Sequence, residues 1–185
     1  MLIFDIDGVV ADIHSFCLKD IAEKAGCRVD EVTSGTHDIK VPDDVLTRDE
    51  IFNIAVSTTV KYVKDILPYE GAIAFLQSYY NAIKEPIRFL TARTSSRADI
   101  VECTYLWLRW HLGVPFYVHF ASDKQHFLKC NPQFTGIVED RLSTANSLDF
   151  LDRVFLVNRE WNIGRIPNPR LIRINTLQDI WQYIG

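Results

Sequence analysis

Short apolar runs alternate with amphipathic stretches along the chain. Met1 to Phe4 is apolar and stops at Asp5, and Pro86 to Leu90, Val114 to Ala121, Thr135 to Val138, Val154 to Val157 and Leu171 to Ile174 read in the same way as buried strands. Between them, apolar positions recur at helical spacing. Ile13, Phe16, Cys17, Ile21 and Ala25 form one face, closed by Gly26. Thr47-Arg48-Asp49-Glu50 is a capping box that opens a second helix carrying Ile51, Phe52, Ala55, Val56, Val60 and Val63, predicted to run to about Leu67. Pro68-Tyr69-Glu70-Gly71 breaks it, and Ile73, Phe75, Leu76, Tyr79, Tyr80 and Ile83 mark a third. Ser96 to Leu112, Leu142 to Leu151 and Leu177 to Ile184 complete the helices.

Apolar strands alternating with helices predict an α/β fold, a parallel sheet with helices on both faces. One connection breaks the rhythm. The roughly 60 residues between the first two strands read as helical and loop-rich, with Asp30 to Asp44 aperiodic and no strand, which is too long for an ordinary loop. The organisation expected is a core of residues 1–12 and 85–185 with a helical cap, 13–84, inserted after the first strand.

Composition narrows the class without naming a chemistry. In 185 residues, 48% are apolar and the net charge is -4, so a packed, soluble domain is expected, with no membrane partner and no stable nucleic-acid complex. No apolar stretch reaches the ~20 residues of a membrane span, and no targeting segment is expected before a strand that begins at Met1. Cys17, Cys27, Cys103 and Cys130 stand far apart, which suits reduced thiols in a cytoplasmic setting better than a zinc site or a disulfide framework.

The strand ends carry the chemistry. Ligands of open α/β sheets bind at the carboxyl ends of strands, and these ends deliver Asp5 and Asp7, then Thr91, then Lys124, then Glu139 and Asp140. Asp5 and Asp7 sit two apart and point the same way, with Gly8 allowing the chain to turn closely around what they hold. A calcium loop starting at Asp5 requires Gly and Glu where Val10 and Phe16 stand, so that reading fails. Each residue alone has an ordinary explanation: an acidic turn with Asp12 as helix cap, Thr91 as a cap, Lys124 as a solvated amine, Glu139-Asp140 as a helix start. Their order on one sheet edge favours phosphoryl chemistry. Neither a P-loop nor a dinucleotide-binding glycine motif follows any strand.

The set Phe4-Asp5-Ile6-Asp7-Gly8-Val9, Phe89-Leu90-Thr91, Lys124 and Ile137-Val138-Glu139-Asp140 resembles the four motifs of the haloacid dehalogenase (HAD) superfamily of phosphohydrolases. Within it, Asp5 to Asp12, Pro68-Tyr69-Glu70-Gly71-Ala72 and Phe155 to Asn162 are similar to the 5′(3′)-deoxyribonucleotidases. Asn158, Glu160 and Trp161 depart from that group's Asp-Arg-Pro-Tyr-Asn.

The resemblance implies a HAD-like Rossmannoid fold and a Mg²⁺-dependent phosphomonoesterase acting on a small phosphate monoester, foremost a (deoxy)nucleoside 5′-monophosphate. Alternatives are a sugar phosphate, a polynucleotide 3′ end, or an inactive binding module; a homodimer is compatible with any of them. In the implied mechanism Asp5 is the nucleophile, Asp7 the general acid and base, and Thr91 and Lys124 hold the transferring oxygens. Gly8, Ala92 and Arg93 are assigned to substrate, and the metal to Asp5, the Asp7 carbonyl, Asp140 and Glu139. Phe16, Phe52, Tyr62 and Tyr69 in the cap are candidates to stack on a base, and Arg97 is a further cation near Thr91.

Overall fold

The computed structural model describes residues 1–34, 39–42 and 45–184. Six strands, β1 (Leu2–Phe4), β4 (Ile87–Thr91), β5 (Phe116–Phe120), β6 (Gly136–Glu139), β7 (Arg153–Val157) and β8 (Leu171–Ile174), form one sheet in the order β5-β4-β1-β6-β7-β8. Every neighbouring pair is parallel. The chain winds outward from β1 through β4 to β5, then returns to the other side of β1 for β6, β7 and β8. The reversal lies at β1, where the carboxyl ends leave a crevice.

Strand alternation sorts the core into two layers. Register aligns Phe4 with Phe89 and Val138, and Val138 with Phe155; these side chains face one layer. Ile3, Leu90, Ile137, Val154 and Leu156 face the other, packed with Leu128, Leu142, Ala145 and Leu148. Successive strand residues point to opposite faces, so a strand buried on both sides is apolar throughout. That is why β1, β6 up to Val138 and β7 from Val154 read as unbroken apolar runs, whereas β4, β5 and β8 carry Arg88, His119 and Arg173 at half-buried positions.

Helices α3 (Ala72–Ile83) and α4 (Ala98–Leu112) join the first layer. Phe75 and Tyr79 of α3 meet the Phe4 ring at 6.2 and 5.5 Å between centroids. Leu128 lies on α5 (Lys124–Cys130), and Leu142 and Ala145 on α6 (Leu142–Asn146), so these helices serve the second layer. The chain ends in a 3-10 turn, Leu177–Ile180, and a short α7 (Trp181–Ile184).

The segment between β1 and β4 contains α1 (His14–Ala25) and α2 (Arg48–Lys61). It also contains a two-stranded antiparallel ribbon of β2 (Thr33–Ser34) and β3 (Ile39–Lys40), which corrects the expectation of no strand there; the rest of the aperiodic stretch, 35–38 and 43–44, lies outside the described residues. Gly26 ends α1 in the left-handed conformation, and the Thr47 capping box opens α2, as the pattern predicts. Helix α2 stops at Lys61 and not near Leu67. The amides of Asp65 and Ile66 both bond back to the Tyr62 carbonyl, and Ile66 is thereby turned into the core. The two ends of the segment meet: the Asp12 amide donates to the Leu67 carbonyl at 3.0 Å and the Tyr69 amide to Val10 at 2.9 Å.

Candidate active site

β1 ends in a tight loop that aims its acids out of the sheet. The amides of Val10 and Ala11 bond the Ile6 carbonyl, and Gly8 takes φ 74°. A Cβ at Gly8 would collide with the carboxylate of Asp140, so glycine is required both for the turn and for the close approach of β6's exit. Arg159, after β7, donates its Nε to the Gly8 carbonyl at 2.8 Å and lies over the Tyr69 ring at 3.7 Å. Tyr69 in turn gives its hydroxyl to Asp12 at 3.2 Å, so Asp12 braces the loop and does not cap α1, whose N-cap is Ile13.

Around this loop the strand ends assemble a charged centre. Lys124 Nζ is 2.6 Å from Asp5 Oδ2 and 2.8 Å from Glu139 Oε2, with all three side chains buried. The second Glu139 oxygen accepts from the amides of Arg141 at 3.0 Å and Asp140 at 3.3 Å. Asp140 accepts the Trp161 indole N–H at 2.8 Å, and its backbone carbonyl accepts Asn162 Nδ2 at 2.7 Å. Asp5, Glu139 and Asp140 each offer an oxygen within 4.8 Å of the others.

Three carboxylates, those of Asp5 and Glu139 buried and that of Asp140 half-buried, facing one ammonium are short of positive charge. Burial, then the neighbouring Glu139 carboxylate, pushes Asp140 from an ordinary 3.8 up to about 7. Burial likewise pushes Asp5 well above its ordinary value, against the pull of Lys124. Burial also works against Glu139, yet Lys124 and the hydrogen bonds to its two oxygens hold it below the usual carboxylate range. The same two acids keep Lys124 a firmer cation than usual in spite of its burial. A hard divalent cation with oxygen ligands matches this deficit, so the donor set fits Mg²⁺.

The centre opens into a cavity of about 610 Å³ lined by Asp5, Asp7, Gly8, Ala92, Lys124, Glu139 and Asp140. The expected residues Thr91 and Arg93 are placed differently. Thr91 is buried with its hydroxyl accepting the Arg93 amide at 3.1 Å. Arg93, expected toward substrate, instead forks onto the Asp7 carboxylate, Nε to Oδ2 at 2.8 Å and Nη2 to Oδ1 at 2.5 Å. Arg97 pairs with its neighbour Asp99 at the surface.

The aromatics singled out in the insertion are engaged elsewhere. Phe16 and Tyr62 pack on each other at 4.9 Å, Tyr69 lies under Arg159, and Phe52 is exposed. From the insertion it is Ile13, His14, Cys17, Ile39 and Ala55 that reach the cavity. Cys17 is no nucleophile there, since burial pushes its thiol up to about 12. His14 stacks on Trp161 at 3.9 Å, and burial pushes its pKa down. His14, Arg141 and Trp161 also line the cavity, and no motif in the sequence assigned them to it.

The sequence matches no known protein-family model, and it matches no curated protein. Solved structures do match over nearly the whole chain. CbbY from Rhodobacter sphaeroides, in complex with phosphate, has 15% identity and a TM-score of 0.57, covering 97% of this chain and 95% of that one. YfnB from Bacillus subtilis, a HAD-hydrolase bound to magnesium, has 14% identity and a TM-score of 0.60, covering 98% and 96%. The fold is HAD-like. A third similar structure, described as a β-phosphoglucomutase from Thermotoga maritima, has 14% identity and a TM-score of 0.58, covering 99% and 97%. At these identities the likeness is one of fold.

Proposed function

We propose that the protein is a Mg²⁺-dependent phosphomonoesterase that works through a phosphorylated Asp5. The observation that carries this reading is the contact of Lys124 with both Asp5 and Glu139 inside a cluster of three acids that line the cavity. Asp5, the Asp7 carbonyl and Asp140 would hold the metal. Glu139, whose two oxygens are already engaged by Lys124 and two amides, suits a supporting role better than a direct bond. Bound there, the ion supplies charge that screens the ester's anionic oxygens from an attacking carboxylate.

Asp5 attacks phosphorus as the bond to the ester oxygen breaks, and Asp7 gives its proton to the departing alkoxide. Asp7 then takes a proton from water, which attacks the acyl phosphate, releases inorganic phosphate and restores Asp5. Lys124 would hold a transferring oxygen as charge builds on it, and Gly8 and Ala92 line the same cavity. Thr91 is assigned to the same cradle, with its hydroxyl turning from the Arg93 amide.

For the substrate, the motif likeness supports a (deoxy)nucleoside 5′-monophosphate. A sugar phosphate is the second reading, supported by a structural neighbour described as a β-phosphoglucomutase. We infer a cap inserted after β1 that sorts leaving groups. The pairing of Asp12 with Leu67 and the packing of α3 on Phe4 support closing it before Pro68 instead of at residue 84. Among the described residues no helix is long and apolar enough to cross a membrane. The four free thiols support a reducing, cytoplasmic setting. The test is phosphate release from a panel of nucleotides and sugar phosphates with Mg²⁺ and with EDTA. Release that requires Mg²⁺ and favours one class supports the proposal, and no release from any member with Mg²⁺ present contradicts it.

A further inference from the structure

The Arg93 side chain is 6% exposed, and each of its three nitrogens has a hydrogen-bond partner. Nε and Nη2 make the fork on Asp7, and Nη1 donates to Thr104 Oγ1 at 3.0 Å. Thr104, fully buried on α4, donates its own hydroxyl to the Ile100 carbonyl at 2.7 Å. A guanidinium this buried is costly unless paired, and a paired one is held stiffly. Asp7 differs from it: its side chain is 31% exposed and lines the cavity. A carboxylate has about four lone-pair sites, and the fork takes two. The others remain for the cavity.

We infer that Arg93 is a positioning residue for Asp7: braced by Thr104, its fork fixes the carboxylate in the one orientation from which it meets the leaving group. The inference rests on the phosphatase reading above and adds the residue that makes its acid effective. The Arg93 side chain bonds Asp7 and Thr104, and Arg93 is not among the residues that line the cavity. Misplacing an acid by about 1 Å costs on the order of a hundredfold, and lysine, which keeps the charge but lacks the planar fork, does not replace it.

The test compares two esters in the Mg²⁺-loaded protein. An alkyl phosphate leaves as a strong base and needs the proton, whereas p-nitrophenyl phosphate leaves as a stable anion and does not. The quantity read is kcat/KM, which covers steps up to departure of the leaving group, so breakdown of the phosphorylated enzyme, common to both, drops out. Arg93→Lys is expected to lower kcat/KM about a hundredfold for the alkyl ester and less than about tenfold for the aryl ester. Thr104→Val, which removes the brace alone, shifts the ratio the same way by a smaller factor. Parallel loss on both esters in folded variants overturns the inference and makes Arg93 a structural or binding residue. Should Arg93→Lys fail to fold, Thr104→Val decides by the same ratio. If the wild-type protein hydrolyses neither ester, the phosphatase reading falls first and this inference with it.

Discussion

Asp140 has the surroundings that say most about the site. Its carboxylate touches the Gly8 position on one side and receives the Trp161 indole N–H on the other, and Trp161 is itself stacked on His14. A partner outside the ligand set that orients a metal-binding carboxylate is worth ten- to a hundredfold in affinity. Trp161→Phe keeps the ring and loses the donor, so it is expected to weaken Mg²⁺ binding about tenfold, read by calorimetric titration of the folded variant. Unchanged affinity would show that the indole does not set the Asp140 rotamer. Asp5, Asp7, Lys124, Glu139 and Asp140 were legible because each follows an apolar strand and a parallel sheet gathers such ends. Trp161 and Arg93 were not, since their partners lie 21 and 86 positions away in sequence. No local pattern records an approach of that kind.

At the level of elements, those with a capped or strongly periodic signature were read closely, and those without one were not. The Thr47 box is the clearest case: Thr47 Oγ1 accepts the Glu50 amide while Glu50 accepts the Thr47 amide at 2.8 Å. Thr47→Ala is expected to cost about 1 kcal/mol of stability in a denaturant titration, with phosphate release unchanged, because this helix start lies outside the cavity lining. An activity loss without a stability loss would place this end of α2 in the site. The β2–β3 ribbon gave no signal because strands of two residues are too short to show alternation. The predicted helix from Leu142 to Leu151 is cut to Asn146, where the Ser147 hydroxyl and amide both turn back to the Thr144 carbonyl.

For the whole molecule, the charge-poor centre links stability to pH and metal. An acid whose pKa is higher folded than unfolded binds more protons when folded, so its contribution is full below the unfolded value and is lost as pH rises through the folded one. Asp140, at an ordinary 3.8 unfolded and about 7 folded, therefore makes the metal-free protein less stable between those two values as pH rises. Asp5 acts in the same direction. Mg²⁺, binding the ionised acids, offsets the loss. The gap in Tm between Mg²⁺ and EDTA samples is thus expected to widen from about pH 5 to pH 8; a gap that narrows would mean that the acids do not bind the ion.

The central claim is that Asp5 takes the phosphoryl group, and the measurement closest to it is mass spectrometry of the acid-quenched enzyme during turnover with Mg²⁺ and the best ester of the panel. One phosphoryl group is expected on the peptide carrying Asp5 in the wild-type protein. With p-nitrophenyl phosphate, whose departure needs no proton, its level should rise in Asp7→Asn, where the water-activating base is lost, and with either ester it should be absent in Asp5→Asn, which stays folded but turns over at least about a thousandfold more slowly. Phosphate release at the full rate in Asp5→Asn, or steady turnover with no phosphorylated peptide in either the wild type or Asp7→Asn, would contradict it.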